Sequence, residues 1–568
     1  MQLDSEKYHK TKQVKPATIV WMLVLLNLVL GVLVLLFPES ERRFIINGDL
    51  PFIHLVNAQD SVESVNDLTL QFVSASDLFT AKNKVVVDLD SVLGDMAMDT
   101  VVEDTVVVDT SFNEPELDCK IQYVKVERSV LHGFFEALYE VENGSEQLIR
   151  ILHYGDSQLE GDRISDYLRN KMQNRFGGFG PGIVLPIDIS HARVSVRQSE
   201  SRDWKKYAIY SKKRHPKRHY GIGGSSYMYT GEYFVKIGED TIAQPVYDSL
   251  VEQRIWLVKS LQQDSLSIKD SSNWGTVMIP FDSSKFHLDT VYKPILERKD
   301  AAYSWLKFRT AKRGYPRVKK FRTVQLLYSA EDTVNLTVSI DGVDRVKQLP
   351  PAPYGTKAIL HKGWVSNDVL LKFTGISPVV FGVLLDGEKG VAVDNFPMRG
   401  SSGTGYSIIN QTVYKGQLQS SNAKLIIMQY GINVIPNPQK KYGFYQRMFS
   451  KEIEAIKRAM PEVSILVIGP SDMSRKVAGE YVSYPNITKI RDAMQKAASE
   501  NNCAFWDLYS VMGGENSMVG WVNNSPTLAA KDYTHFNARG ARYIGEMLYN
   551  AIMSDYTSWK NEKSRLTP

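Results

Sequence analysis

Cysteine is nearly absent from this chain: Cys119 and Cys503 are the only two thiols in 568 residues. So small a number excludes a disulfide scaffold and a cysteine-rich zinc array. A large excess of one charge is also missing, because the net charge of +5 is too small to indicate a nucleic-acid partner. No cluster of His, Cys, Asp and Glu has the spacing of metal ligands, so we expect neither a metal nor an organic cofactor. The 43% of hydrophobic residues indicates a folded globular protein.

One long hydrophobic run stands out near the N-terminus. Ala17–Phe37 holds 21 residues without a charge, enough for a helix to cross the ~30 Å hydrocarbon core of a bilayer. Four lysines precede it, at Lys7, Lys10, Lys12 and Lys15. We predict an uncleaved transmembrane anchor at 17–37, with residues 1–16 in the cytoplasm and the rest on the other side. A cleaved signal peptide and a buried soluble helix are the alternatives; the run is longer than the ~7–15 apolar residues of a signal peptide.

An acidic segment follows the hydrophobic run. Between Asp60 and Asp118 there are 14 acidic residues, against Lys82 and Lys84 as the only basic ones. We predict that residues 38–128 form a poorly ordered acidic spacer, with a small strand-rich element as the alternative.

Strands alternate with helices in two separate stretches of the chain, 129–187 and 376–558. Short apolar runs predict strands at 148–152, 381–385, 425–428, 464–468 and 503–506. Helical periodicity lies between them, and we predict helices at 441–459, 487–500 and 538–553. Apolar strands that alternate with helices predict an α/β domain with a doubly wound parallel sheet covered on both faces.

The segment 188–375 has a different pattern, with alternating strands and few helical periods. Val334, Leu336, Val338 and Ile340 alternate with polar residues and stop at an Asp-Gly turn. We predict an inserted all-β module that can be removed without unfolding the α/β domain. Its basic stretches, at Arg202–Arg218 and Lys307–Arg322, fit docking of an anionic glycan, solvated loops or a partner for the acidic spacer.

A serine follows the strand 148–152 in the motif Gly155-Asp156-Ser157. This position lies at the carboxyl edge of the predicted sheet, where doubly wound folds bind ligands, and close to a helix N-terminus. Ser157 is therefore a candidate nucleophile. The alternative is an ordinary turn serine that caps the helix.

Asp532 and His535 stand three residues apart just before the last helix. At this spacing the carboxylate can accept the Nδ1 proton of the imidazole, which leaves Nε2 free to take a proton from a serine. A turn aspartate with a surface histidine is the alternative.

Two further motifs supply candidate oxyanion donors. Asn433 follows the strand 425–428 in a Gly-x-Asn motif, and Gly400 lies in a Gly-Ser-Ser-Gly run. An asparagine side chain and a glycine backbone N–H can both donate to a developing oxyanion. Gly224 is a second candidate for the glycine; we favour Gly400 because it follows the predicted strand 381–385 and shortly precedes Asn433.

These four blocks, in this order, resemble the SGNH hydrolases of the GDSL esterase family. The resemblance implies a flavodoxin-like α/β fold and an acyl-enzyme mechanism without metal or cofactor. It implies Ser157 as nucleophile, His535 as base and Asp532 as its partner, and an oxyanion hole formed by Ser157, Gly400 and Asn433. The Asn block departs from many esterases, because it reads Gly-Ile-Asn-Val instead of Gly-Thr-Asn-Asp or Glu.

Two longer motifs are similar to the bacterial cell-envelope members of this family, of the peptidoglycan O-acetylesterase type. They are HYGDSQLEGDRI at 153–164 and FGGFGPG at 176–182. The resemblance implies a single-pass inner-membrane esterase whose periplasmic domain removes O-acyl groups, mainly O-acetyl, from a cell-envelope glycan. An O-acetyltransferase that receives acetyl from a membrane donor protein and a catalytically silent glycan-binding protein are the alternatives.

Overall fold

The computed structural model describes residues 119–187, 193–212, 214–247, 286–311, 314–366 and 368–566. The predicted anchor at 17–37 and the predicted spacer up to residue 118 lie outside the described residues. No helix within the described ranges has both the length and the apolar character that are needed to cross a bilayer.

Strands make up most of the first half of the described chain, and helices alternate with strands in the rest. The strands are β1 (Leu148–Gly155), β2 (Gly182–Val184), β3 (Val196–Glu200), β4 (Trp204–Ala208), β5 (Ser225–Tyr229), β6 (Glu232–Tyr247), β7 (Phe286–Asp300), β8 (Ser304–Thr310), β9 (Phe321–Ala330), β10 (Val334–Ile340), β11 (Val343–Leu349), β12 (Ala352–Val365), β13 (Asp368–Thr374), β14 (Val379–Asp386), β15 (Gly390–Pro397), β16 (Ala423–Gln429), β17 (Ser464–Ile468), β18 (Ser474–Val477), β19 (Glu480–Ser483) and β20 (Ala504–Trp506). The α-helices are α1 (His132–Glu142), α2 (Ser165–Phe176), α3 (Gln411–Ser421), α4 (Gly443–Ala459), α5 (Ile487–Glu500), α6 (Leu508–Val511), α7 (Ser517–Asn523) and α8 (Ala538–Leu566).

A five-stranded parallel sheet carries the candidate site. Its spatial order is β15-β1-β16-β17-β20, and all four pairs of neighbours are parallel. Counted along the chain this is the flavodoxin-like order 2-1-3-4-5, which reverses between β1 and β16. The predicted parallel α/β sheet is therefore confirmed.

Alternating side chains of the parallel sheet enter two different cores. Ile149 and Ile151 of β1 belong to the core beneath α1, α2 and α8. Leu152 and Tyr154 belong to the core beneath α3, α4 and α5. A parallel sheet that is buried on both faces needs apolar residues at consecutive positions, which explains the continuous hydrophobic runs of these strands.

Two further sheets lie in the segment between α2 and β15. One has the order β11-β10-β13-β8-β3, and the other has the order β12-β9-β14-β5-β4 with β2 paired to β14. They pack face to face through residues such as Trp204 and Phe373, whose ring centroids are 5.7 Å apart. The long strands β6 and β7 pair with each other as a separate two-stranded ribbon.

The core of these two sheets is continuous with one core of the parallel sheet. Leu326 of β9 and Val383 of β14 belong to the same buried cluster as Leu152 and Met428. A buried ion cluster adds a polar link, because Arg150 of β1 pairs with Asp386 at the end of β14. This packing argues against the predicted independence of segment 188–375.

The predicted strand 381–385 exists as part of β14, but it does not belong to the parallel sheet. β14 pairs antiparallel with β9, β5 and β2. The strand that precedes Gly400 in the parallel sheet is β15, which the sequence analysis missed. The prediction that the strand 381–385 leads to Gly400 in the parallel sheet is therefore wrong, and β15 occupies that place beside β1.

Residues 119–128, which were assigned to the acidic spacer, pack against the parallel sheet. Gln122 forms an antiparallel bridge with Phe505 of β20, and the indole N–H of Trp506 donates to the carbonyl of Cys119 at 2.8 Å. Ile121 is buried. The folded domain thus begins before residue 129, and at its other end α8 continues to Leu566 instead of stopping at 558.

Candidate active site

The nucleophile candidate lies in a tight turn at the end of β1. Asp156 caps a short 3-10 turn (Ser157–Asp162), because its Oδ1 accepts from the backbone N–H of Gln158 at 3.0 Å. A Cβ at Gly155 would lie 2.6 Å from Leu159 Cδ1 and 2.8 Å from the carbonyl oxygen of Gln429. Only glycine fits there, because a side chain would collide with Leu159 and with the backbone at the end of β16.

Ser157, His535 and Asp532 are brought together at the carboxyl edge of the sheet. The distance from Ser157 Oγ to His535 Nε2 is 2.7 Å. The distance from His535 Nδ1 to Asp532 Oδ2 is also 2.7 Å. The hydroxyl side chain of Ser157 is largely buried, whereas His535 and Asp532 keep contact with solvent. This geometry permits proton transfer from the serine to an imidazole that the carboxylate orients.

The carboxylate of Asp532 is held by the turn that carries the histidine. Its Oδ1 accepts from the backbone N–H groups of Thr534 and His535, each at 3.0 Å. Burial raises the pKa of Asp532, but the hydrogen bonds from the His535 ring and from these two N–H groups outweigh burial and lower the pKa below its usual value. Asp532 is therefore ionised near neutral pH and can stabilise an imidazolium.

The histidine loop ends where α8 begins. Asn537 caps α8, because its Oδ1 accepts from the N–H groups of Arg539 and Gly540 at 3.0 Å each. This cap agrees with the expectation from the sequence that a helix starts directly after the histidine. The cap therefore holds the loop of His535 at the start of α8, and α8 in turn packs against α2.

Hydrogen bonds connect the loops that carry Gly400 and Asn433 to the turn at Ser157. The N–H of Met398 donates to the carbonyl of Gly155 at 2.7 Å, which ties the glycine block to the end of β1. Asn433 Nδ2 donates to the carbonyl of Ser401 at 2.9 Å, which ties the asparagine block to the glycine block. Gly400 has a φ of +76° and is exposed, and within the described residues its N–H makes no hydrogen bond.

Gly224 is placed differently. Its N–H donates to the carbonyl of Gly221 at 2.8 Å, so this donor is already used inside a turn. A Cβ on Gly224 would lie 2.6 Å from Met398 Cε and 3.1 Å from Ile209 Cδ1, which shows that the residue is enclosed by side chains. Of the two glycines considered, Gly400 is the one with an available N–H.

Asp156 is buried beside the candidate nucleophile Ser157. Burial raises its pKa to about 7, although backbone N–H groups of Gln158 and Ile432 and the charge of Arg163 act in the opposite direction. A second carboxyl group close to the serine is therefore largely protonated at acidic pH and about half ionised near pH 7.

Two residues next to the serine were not identified from the sequence. The side chain of Gln158 is buried and hydrogen-bonds to the backbone on both sides of His535. Arg163 donates to the carbonyl of Ser157 and, at 3.2 Å, to the carbonyl of Phe536. Both lie within the motif HYGDSQLEGDRI, but only the three-dimensional contacts between positions almost 400 apart reveal what they touch.

Within the described ranges, no group of three or more His, Cys, Asp and Glu side chains is arranged to hold a metal ion.

Comparison with known proteins adds a family match. Residues 373–543 match the model of the GDSL-like Lipase/Acylhydrolase family. This range contains the glycine, asparagine and histidine blocks and leaves out Ser157. Among curated protein sequences, none matches the chain.

Solved structures also resemble the chain. One described as "Peptidoglycan O-acetylesterase in action, 5 min" is 20% identical, with a TM-score of 0.51, over 76% of this chain and 98% of the other. A family two carbohydrate esterase from Clostridium thermocellum in complex with cellohexaose is 9% identical, with a TM-score of 0.21, over 45% of this chain and 94% of the other. The salicylyl-acyltransferase SsfX3 from a tetracycline biosynthetic pathway is 13% identical, with a TM-score of 0.22, over 43% and 80%. At 20% identity, the first of these likenesses is a likeness of fold.

Proposed function

We propose that the chain is an ester hydrolase of the SGNH/GDSL type and that it removes O-acetyl groups from a cell-envelope glycan through an acyl-serine intermediate. The observation that carries this proposal is the 2.7 Å contact between Ser157 Oγ and His535 Nε2, with Asp532 on the other ring nitrogen. A serine hydroxyl is a weak nucleophile until a base removes its proton, and this contact supplies the base.

The reaction begins when His535 Nε2 takes the proton of Ser157 Oγ and the oxygen attacks the ester carbonyl. The tetrahedral intermediate collapses, the bond to the sugar oxygen breaks, and His535 returns the proton to that oxygen. Water then attacks the acetyl-serine, with His535 again as base, and acetate leaves with regeneration of Ser157. Asp532 stays ionised throughout and stabilises the imidazolium.

The oxyanion of the intermediate would be held by the backbone N–H groups of Ser157 and Gly400 and by the side chain of Asn433. Asn433 Nδ2 has two hydrogens, and only one of them is used by the carbonyl of Ser401. The contact with Ser401 therefore orients the amide and leaves its second hydrogen for the substrate. Such fixed donors stabilise charge that develops only in the transition state.

A cleft next to the turn that follows Ser157 is a candidate binding site for the glycan. The cleft runs from the turn after the serine to the strands β3 and β4, and its lining includes Glu160, Asp162, Arg193, Gln198, Lys206 and Arg399. Leu185, Ile187 and Pro397 add apolar contacts to the same cleft, and its polar side chains could bind the hydroxyl groups of a polysaccharide. The structural likeness to a peptidoglycan O-acetylesterase agrees with this choice of substrate.

The proposal includes the location of the enzyme. Residues 17–37 would anchor the protein in the bacterial inner membrane, with the esterase on the periplasmic side, where such a glycan is found. Membrane fractionation tests this part: the intact protein should require detergent for release. Recovery of the intact protein in a detergent-free soluble fraction would contradict the anchor without affecting the esterase.

The decisive experiment measures acetate released from O-acetylated peptidoglycan by the detergent-solubilised full chain. The same peptidoglycan, deacetylated with mild base beforehand, is the substrate control, and Ser157→Ala is the enzyme control. We expect release from the acetylated polymer alone and none with the variant. If an aryl acetate is hydrolysed and the polymer is not, the chemistry stands and the substrate is wrong. If acetyl appears on an added sugar instead of in solution, the enzyme is a transferase.

A further inference from the structure

The residue directly after the proposed nucleophile makes contacts that the proposed mechanism does not explain. Gln158 is 1% exposed. Its Nε2 donates to the carbonyl of Thr534 at 2.7 Å, and its Oε1 accepts from the N–H of Phe536 at 3.2 Å. A single amide side chain therefore binds the backbone immediately before and immediately after His535.

We propose that Gln158 is a positioning residue that sets the distance between Ser157 and His535. The inference rests on the proposed function, because it takes Ser157 as the nucleophile and His535 as its base. The path between the two reacting atoms is short: Gln158 is covalently joined to Ser157, and its amide is hydrogen-bonded to both neighbours of His535. A shift of the histidine loop relative to the serine would break at least one of these bonds.

The chemistry of an amide suits this task. The carbonyl of Thr534 needs a donor and the N–H of Phe536 needs an acceptor, and the amide offers both in one plane. A carboxylate could accept from Phe536 but would repel the carbonyl of Thr534. An aliphatic side chain would remove the partner of the half-buried Thr534 carbonyl and of the buried Phe536 N–H.

Two other contacts of the histidine loop hold His535 within the loop and do not connect it to Ser157. Asp532 binds the Nδ1 and the backbone N–H of His535, so it fixes the rotation of the ring within the loop. The N–H of Ala530 donates to the carbonyl of His535 at 2.8 Å and closes the loop on itself. Neither contact reaches the serine. Gln158 reaches across, and its Nε2 also lies 3.2 Å from Ser471 Oγ in the loop after β17. Arg163 is a second link, from Ser157 to Phe536.

If the hydrogen bonds of Gln158 served stability alone, their loss would lower the melting temperature without slowing the reaction. A matched control variant distinguishes this purely structural role from a positioning role. Gln173 on α2 is also fully buried and donates to a backbone carbonyl, that of Gly180, at 3.0 Å. Gln158→Leu and Gln173→Leu both remove a buried amide, although Gln173 loses one backbone contact and Gln158 loses two. Both should lower the melting temperature, but only Gln158→Leu should slow the reaction.

The first measurement is steady-state hydrolysis of an aryl acetate by the full chain. We expect Gln158→Leu to lower kcat by about 10–100-fold, since a displacement near 1 Å at the reacting atoms can cost this much. KM should stay within about threefold, because the substrate contacts are intact. Gln158→Glu, which keeps the acceptor and the shape, should lose less than Gln158→Leu, and it replaces that variant if circular dichroism shows that the leucine protein is unfolded. For Gln173→Leu we expect a kcat within about twofold of the wild type.

The second measurement is the rate at which a fluorophosphonate labels Ser157. Gln158→Leu should slow labelling in the wild-type background and change it little in a His535→Ala background, because a group that acts through the histidine has nothing to position once the imidazole is gone. A kcat of folded Gln158 variants within about twofold of the wild type, or equal losses in both backgrounds, would overturn the inference. If Ser157→Ala itself stays active, the proposed function fails first.

Discussion

At the level of single residues, the contacts of His535 lead to an expectation about combined mutations. Ser157→Ala and His535→Ala should each reduce aryl acetate turnover by about 10⁴–10⁶-fold, and the double variant should lose little more, because members of such a unit act on the same step. Steady-state rates of the two single variants and the double variant, on protein cleared of contaminating esterase, provide the check. Losses that multiply would show that the two side chains act in separate steps.

Asn433 should matter less than Ser157. Asn433→Ala removes one oxyanion donor and leaves the nucleophile and its base in place, so kcat should fall by about 10²–10³-fold with little change in KM. Asn437→Ala, at an exposed position of the same loop, is the control and should keep full activity. A rise in KM with unchanged kcat would instead make Asn433 a substrate-binding residue.

The buried carboxyl of Asp156 predicts a pH dependence of stability. Burial raises its pKa from 3.8 to about 7, so the folded state holds a proton that the unfolded state releases above pH 4. Stability is therefore lost as the pH rises from about 4 to 7, by up to ~1.4 kcal/mol for each pH unit, and stays level above that.

Asp156→Asn tests this dependence, because the amide keeps an acceptor for the Gln158 N–H and cannot ionise. The free energy of unfolding of the variant, relative to the wild type, should increase between pH 4 and pH 7 in urea titrations. A difference that does not change with pH would mean that Asp156 is ionised in the folded protein.

The sequence indicated the three candidate catalytic residues, which the structure brings together, but not the residues that contact them. Ser157, Asp532 and His535 could be named because each stands at a strand or helix end, where the chain direction fixes the position of the side chain. Gln158 gave no such signal, since its partners Thr534 and Phe536 bind through backbone atoms, which carry no sequence information. Contacts of this kind become visible only when the fold is known.

At the level of elements, the turn between β1 and the 3-10 segment leaves no room for a side chain at Gly155. Gly155→Ala would place a Cβ 2.8 Å from the carbonyl oxygen of Gln429, which is backbone and cannot move aside easily. We expect a loss of about 1–3 kcal/mol in stability, as for other overpacked positions, and reduced turnover from the displaced Ser157.

Gly416→Ala is a suitable comparison, because Gly416 lies in α3 with open space around the added methyl group. It should be neutral or stabilising, by up to ~1 kcal/mol, since alanine favours helix over glycine. Thermal unfolding of both variants measures the contrast. Equal effects would mean that the turn can open to accept a side chain at Gly155.

The positions of strands were easier to predict than the strands with which they pair. The runs at 425–428 and 464–468 were recognised and do pair in the parallel sheet. The run at 381–385 is equally apolar, but it belongs to an antiparallel sheet. Its apolar pattern does not distinguish the two cases, because a strand of an antiparallel sheet that is buried on both faces also needs apolar residues at consecutive positions. β15 was missed because Asp394, Asn395 and Pro397 interrupt its apolar residues; Asp394 is tolerated in the interior because Arg150 binds it at 3.0 Å.

At the level of the whole molecule, the shared core decides which parts of the segment before β15 can be removed. A deletion of residues 188–375 should not give a folded esterase, because it strips β14 of its neighbours β9 and β5 and opens the core that covers Leu152 and Met428.

A deletion of residues 232–300 should be tolerated. In the described part of the chain, β6 and β7 form ladders with each other alone, and the N–H of Ala301 donates to the carbonyl of Gly231 at 2.8 Å, so the cut ends already meet. We expect this shorter protein to keep its melting temperature within about 5 °C and its aryl acetate turnover within about twofold. Soluble, active protein from the larger deletion, or an unfolded protein from the smaller one, would contradict this account of the core.

The position of β1 in the sheet also has a consequence for the time course of synthesis. β1 lies between β15 and β16, and its register pairs Leu148 with Gly390, 242 residues later. At translation rates of about 5–20 residues per second, β1 waits roughly 12–48 s before a neighbouring strand has been made. Throughout that interval a strand that ends up buried on both faces has no sheet to join. The nascent chain, rather than the finished enzyme, is therefore the form most in need of chaperones that shield apolar segments.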